Sequence, residues 1–242
     1  MKIKSLKKLK EKAKTIMANS NDPIHNLNHV ERVLDNANKI MKNLNLTEQE
    51  KESVRLACLW HDVGRITTNK PSFVWMIFFD DTISAILLWK ETLKYKLFDS
   101  TGSLASRIIF CKSLGTGKLF TRIFLKKRTK ILLDIVKDAD TLDMLHKERL
   151  IQIMEALKDN TLSIMVYRLI SWYATRLKTF KIKTAEGQKI LKQIIEQVLF
   201  WLKNPEIIIW YTKKLGQKSC NKLIKKIEKI LDHFTLLNLQ NN

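Results

Sequence analysis

Four residues, well separated along the chain, combine the side-chain types that hold a divalent cation: His29, the doublet His61-Asp62, and Asp140. Imidazole nitrogen together with carboxylate oxygen suits one divalent ion of the Mn, Fe, Co, Ni, Zn or Mg group. Adjacent residues on a helix project about 100° apart, so His61 and Asp62 converge only on an ion sitting over the ridge between them. Gly64 predicts that this ridge lies in the last turn of its helix, where the carbonyl end of the dipole also favours a cation. Asp62 and Asp140 would compensate the charge of the ion.

The elements that must position these residues read as helices. Val30, Val33, Leu34, Ala37 and Ile40 form one face of a helix over about 27–44, which carries His29. Thr47-Glu48-Gln49-Glu50 is a capping box that opens the helix ending at the doublet. Residues 65–72 read as a loop. Further helices are expected at 82–98, 103–112, 121–136, 139–157, 162–179, 185–203, 206–215 and 219–236. In this reading Asp140 opens a helix and Asp138 caps it. Leu191, Ile194, Ile195, Val198 and Leu202 form one late stripe, and Leu223, Ile227, Ile230, Leu231 and Phe234 another. No strand pattern and no internal repeat is present, so the expected fold class is all-α.

Composition narrows the class further. The 242 residues are 45% hydrophobic, enough for a real core, and include only 6 Gly and 3 Pro, which favours helices over a turn-rich β fold. Three distant cysteines suit a reducing compartment rather than a disulfide framework. The N-terminus lacks the apolar region of a secretory signal. Asp80 and Asp81 interrupt the most apolar stretch, Phe73 to Trp89, so no membrane span is expected and the chain reads as soluble and cytoplasmic. The net charge of +20 is uneven: +6 over residues 1–18, zero over 19–110, +5 over 111–150 and +9 over 151–242. Residues 1–18 form a basic amphipathic helix, with Leu6, Leu9, Ala13, Ile16 and Met17 at helical spacing. The string Leu114-Gly-Thr-Gly-Lys118 lacks the first glycine of a phosphate loop and reads as a basic loop.

Three local strings carry a resemblance. Asp22-Pro-Ile-His-Asn-Leu-Asn-His-Val-Glu-Arg-Val33, Leu56-Ala-Cys-Leu-Trp-His-Asp-Val-Gly-Arg65 and Val136-Lys-Asp-Ala-Asp-Thr-Leu-Asp143, in that order, resemble the HD superfamily of metal-dependent phosphohydrolases over about residues 18–150. The resemblance implies a helical bundle in which His29, His61, Asp62 and Asp140 ligate the metal. The ion would lower the pKa of a bound water to supply hydroxide for attack on phosphorus. Arg32 and Arg65 would clamp phosphate. Many members carry extra histidines for a second metal between the doublet and the last Asp. Here no His falls between His61 and His146, so a mononuclear site is expected, with Asp80 or Asp81 as a weak candidate for proton transfer. His25 reads as a capping or solvent residue.

The domain organisation implied is a basic helix over 1–18, an HD domain over 19–150, and a basic helical extension over 151–242 that serves as lid, dimer face or binding module. The expected function is hydrolysis of a phosphate ester or anhydride of a nucleotide or similar phosphorylated small molecule. Two rivals stand beside it. One is a catalytically weak protein that binds nucleotide, or nucleic acid through its basic helices. The other is a nuclease or phosphodiesterase of the same type. A homodimer is among the arrangements open.

Overall fold

The computed structural model describes residues 2–22, 24–67, 76–95, 101–113, 117–156 and 182–240. All regular structure among them is helical. The chain divides into two compact units, Met1–Asp140 and Thr141–Asn242.

The first unit begins with α1 (Lys2–Ala18), α2 (Leu27–Met41), α3 (Glu48–Trp60) and the short α4 (Val63–Thr67). It continues with α5 (Met76–Lys94), α6 (Thr101–Lys112), α7 (Gly117–Phe124) and most of α8 (Lys130–Asp143). The apolar face of α2 closes onto α3, with Val30, Val33, Ala37 and Ile40 fully buried. α3 starts where its capping box demands. Thr47 Oγ1 accepts from the Glu50 amide at 3.2 Å, and Glu50 Oε2 accepts from the Thr47 amide at 2.8 Å. α6 packs on α3 and α5, and α5 on α4.

The basic helix α1 is docked rather than free. Leu9, Ala13 and Met17 are buried, and the Trp60 indole donates to the Leu9 carbonyl at 3.1 Å. Lys10 pairs with Glu52, Lys12 with Glu91 at 2.8 Å, and Lys14 with Glu31 at 2.9 Å. Acids of the electrically balanced segment therefore take up part of the charge of α1.

Several expected boundaries differ from the structure, among them the start of the helix expected at 82–98, which α5 opens at Met76. In place of helices at 121–136 and 139–157, the chain forms α7, a 3-10 turn at Lys127–Thr129, α8 and then α9 (Lys147–Ala156). Leu132, Leu133, Ile135, Val136, Ala139 and Leu142 bury as one stripe, which carries α8 through the polar residues that suggested a break. Asp138 thus lies buried inside α8 and caps nothing after it. Asp140 sits near the end of that helix instead of opening the next. The loop expected at 65–72 is helical up to Thr67, and its remainder lies outside the described residues.

Gly64 is not a left-handed helix terminator; Gly216 is the one glycine with positive φ among the described residues. Gly64 permits close approach. A Cβ there would lie 2.7 Å from the Asp80 carbonyl oxygen and 2.8 Å from the Ser84 amide nitrogen. The Gly64 amide donates to Ser84 Oγ at 2.8 Å, which locks α4 against α5.

The second unit contains α9, α10 (Ala185–Leu202), α11 (Pro205–Leu215) and α12 (Gln217–Gln240). Leu191, Ile194, Ile195, Val198 and Leu202 of α10 are all buried, and α10 packs on α12 through a face that includes the buried Ile227 and Ile230. Arg149 donates to the fully buried Asp143 at 2.6 Å. The helix expected at 162–179 and most of the string 114–118 lie outside the described residues. Cys58, Cys111 and Cys220 are free and buried. Among the described residues no helix is long and apolar enough to cross a membrane.

Candidate metal centre

The structure brings His29, His61, Asp62 and Asp140 together from three places. His29 stands in the first turn of α2, where the Asn26 side chain caps the helix by accepting from the His29 amide at 3.2 Å. His61 is the C-cap of α3, and Asp62 lies in the turn between α3 and α4. Asp140 comes from α8. The Asn36 side chain, two turns beyond His29 on α2, donates to the Ala139 carbonyl at 3.2 Å and ties α2 to α8 beside the ligand.

The geometry could hold an ion. His29 Nε2 and His61 Nε2 face each other at 3.2 Å. Two nitrogens each about 2.0–2.1 Å from one shared ion, at a tetrahedral angle, stand about 3.3 Å apart. Asp62 Oδ2 is 3.1 Å from His29 Nε2 and 3.4 Å from His61 Nε2. Asp140 Oδ1 is 3.6 and 3.7 Å from the same two nitrogens. One ligand atom each of His29, His61 and Asp140 lie within 4.8 Å of one another. Both imidazoles are 1% exposed. Asp62 Oδ2 is buried with only the two imidazole nitrogens close to it, a setting in which a carboxylate oxygen needs a cation or a protonated ring to compensate its charge. His61 Nδ1 donates to the Cys58 carbonyl at 2.7 Å, which leaves the Nε2 lone pair aimed into the cluster. The residues present therefore fit a divalent ion.

The charges follow the same logic. Burial works against the ionised forms of Asp62 and Asp140. The His61 and His29 imidazoles hold Asp62 well below the usual carboxylate range, and Lys112 with His61 does the same for Asp140. Burial opposes protonation of His61, but Asp62 and Asp140 outweigh it and raise His61 from its ordinary 6.5 to about 9. An ion needs the neutral ring, so below pH 9 it must displace that proton. Affinity for Mn²⁺ is therefore expected to rise with pH, about tenfold per unit from pH 7 to 9, and then to level off. Calorimetric titrations in two buffers of different ionisation enthalpy should count about one proton released per ion below pH 9.

A second cluster adjoins these four side chains; the sequence singled out Arg65, Asp80 and Asp81, but neither Lys112 nor the pairings among them. Arg65 Nη2 donates to Asp80 Oδ2 at 2.5 Å, while Arg65 Nη1 lies 2.9 Å from His25 Nδ1. His25 neither caps a helix nor faces only solvent: its Nδ1 is 2.9 Å from Asp22 Oδ2, and its ring meets that of His29 edge-on at 5.6 Å. Lys112, the last residue of α6, places its ammonium 3.1 Å from Asp81 Oδ1 and 3.0 Å from Asp140 Oδ2. Burial raises Asp81 to about 6 even though Lys112 opposes the shift. Arg32 follows His29 by one turn on α2 and is half-buried.

A helical domain in which buried imidazoles and carboxylates converge in this way is of the class able to hold a divalent ion. Residues 26–145 match the family model of the HD domain, which is consistent with an HD-domain protein. HD domains typically bind divalent metals, and the family suggests metal-dependent hydrolase activity. No curated protein and no solved structure matches the chain.

Proposed function

We propose that the chain is a metal-dependent phosphohydrolase acting on a nucleotide or a similar phosphorylated small molecule. The observation that carries this reading is the buried pair of Nε2 atoms, 3.2 Å apart and flanked by the carboxylates of Asp62 and Asp140. A divalent ion held by His29, His61, Asp62 and Asp140 would supply a Lewis acid and an activated water at neutral pH. The chain's own residues would do the rest. Arg65, oriented by Asp80 and His25, would receive phosphate oxygens, and Arg32 on α2 is assigned the same role. Asp81, raised to about 6, can hold a proton close to neutral pH and is assigned as proton donor to the leaving group. The test is phosphate release from a broad panel of phosphorylated metabolites with Mn²⁺ or Ni²⁺. Release that persists unchanged in His61→Ala or Asp62→Ala, or no release from any substrate, would contradict the assignment.

One observation favours a second reading, contact with nucleic acid. Lys218, Lys222, Lys225 and Lys229 are exposed along one face of α12, over about 16 Å of helix, with no ion-pair partner among the described residues. Four phosphates neutralised on a single strand give a slope of log K against log salt of about −3. Oligonucleotide binding by the full chain is expected to show that slope, to survive His61→Ala, and to fall when the four lysines become glutamine. A flat salt response measured by fluorescence anisotropy would remove this reading.

A further inference from the structure

Asp140 turns its two oxygens towards different partners. Oδ1 looks towards the two imidazoles, at 3.6 and 3.7 Å, while Oδ2 is 3.0 Å from the Lys112 ammonium. The same ammonium reaches Asp81 Oδ1 at 3.1 Å, and the Lys112 side chain is 14% exposed. A carboxylate shared between two cationic positions is the arrangement of two-metal centres, whose ions lie about 3.5–4 Å apart. Here one of those positions holds an ammonium anchored to α6. The neighbouring acid Asp80 is likewise taken, by Arg65 at 2.5 Å. Both aspartates of α5 are thus neutralised by cations of the chain itself.

We propose that Lys112 occupies the second cation position of this centre, so that the protein binds a single divalent ion and supplies the other positive charge covalently. The inference rests on the metal-binding half of the proposed function and not on turnover. It explains in physical terms how a centre with no histidine between His61 and His146 can remain mononuclear. Without the ammonium, Asp81 Oδ1 and Asp140 Oδ2 would be left facing each other as free oxygen ligands. A small dication fits that demand better than water does.

The experiment counts ions in the full-length chain by native mass spectrometry and by electron paramagnetic resonance under saturating Mn²⁺. Wild type is expected to hold one ion with the spectrum of isolated Mn²⁺. Lys112→Ala is expected to hold two, with the spectrum of an exchange-coupled pair, and Lys112→Ala/Asp81→Asn to return to one. A Lys112→Ala protein that keeps the wild-type circular dichroism and still binds one ion would overturn the assignment. Where Lys112→Ala does not fold, Lys112→Met, which keeps the bulk of the stem without the ammonium, gives the count instead, and a coupled pair in wild type refutes the proposal directly. No ion at all in wild type would refute the centre itself, whereas one ion without phosphate release would refute only the hydrolase reading.

Discussion

His61→Ala is expected to lower Mn²⁺ affinity by at least about 100-fold and to abolish metal-dependent phosphate release, with helical content near wild type. Removing a group that merely orients a ligand costs 10–100-fold in affinity or activity, and His61 is itself a proposed ligand, so its loss should exceed that range. The fold should tolerate the change. His61 is the C-cap of α3, its backbone bond to Ala57 does not involve the ring, and alanine keeps that bond. The change also removes the nitrogen 3.4 Å from Asp62 Oδ2 and 3.7 Å from Asp140 Oδ1, leaving two buried carboxylates with one imidazole between them. Asp62 should therefore titrate closer to the ordinary carboxylate range in the variant. Calorimetry with Mn²⁺, circular dichroism and a phosphate-release assay check the three parts separately. An unaltered affinity would mean that the facing imidazoles are a structural pair and no ligand set.

Gly64→Ala is expected to destabilise the first unit by about 1–3 kcal/mol, the range for forcing extra methyl groups into a packed core. Helix propensity predicts the opposite sign, since alanine in a helix interior gains roughly 0.5–1 kcal/mol over glycine. Sterics decide. The added Cβ would meet the Asp80 carbonyl oxygen at 2.7 Å, the Ser84 amide nitrogen at 2.8 Å and the Ile83 Cβ at 2.9 Å. Two of these are backbone atoms of α5 and cannot swing aside as the end of a side chain can. Relief requires α5 to move away from α4, which lengthens the Gly64–Ser84 hydrogen bond and displaces Asp80 and Asp81. Metal-dependent activity should fall together with stability. Urea denaturation and phosphate release measured on the same preparation test both, and a stabilised variant would place α4 and α5 further apart than the structure does.

How far the sequence reached differs from residue to residue. The helical class was legible because apolar periodicity is local. Val30, Val33, Ala37 and Ile40 repeat at helical spacing, and that face is the one that buries. The capping box at Thr47 was legible for the same reason, since its donors and acceptors lie within one turn. The boundaries of α8 were not, because burial of a continuous stripe overrode polar residues that looked like a break. His29, His61, Asp62 and Asp140 could be picked out from three short strings; the structure gathers one ligand atom each of His29, His61 and Asp140 within 4.8 Å of one another, with Asp62 beside the two imidazoles.

The sequence by itself determined the helices, the identity of the converging side chains and the uneven distribution of charge. Only the tertiary structure decided which charges cancel. Lys112 and Asp81 are 31 residues apart, Arg65 and Asp80 are 15 apart, and Asn36 reaches Ala139 across 103. No helical period links such positions, so no pattern along the chain announces them. Pairing of this kind arises because buried charge must be compensated by whatever side chain the packing of neighbouring helices delivers. That packing turned Lys112 from one of 44 basic residues into a fixed cation beside Asp81 and Asp140, and three lysines of α1 from surplus charge into docking contacts.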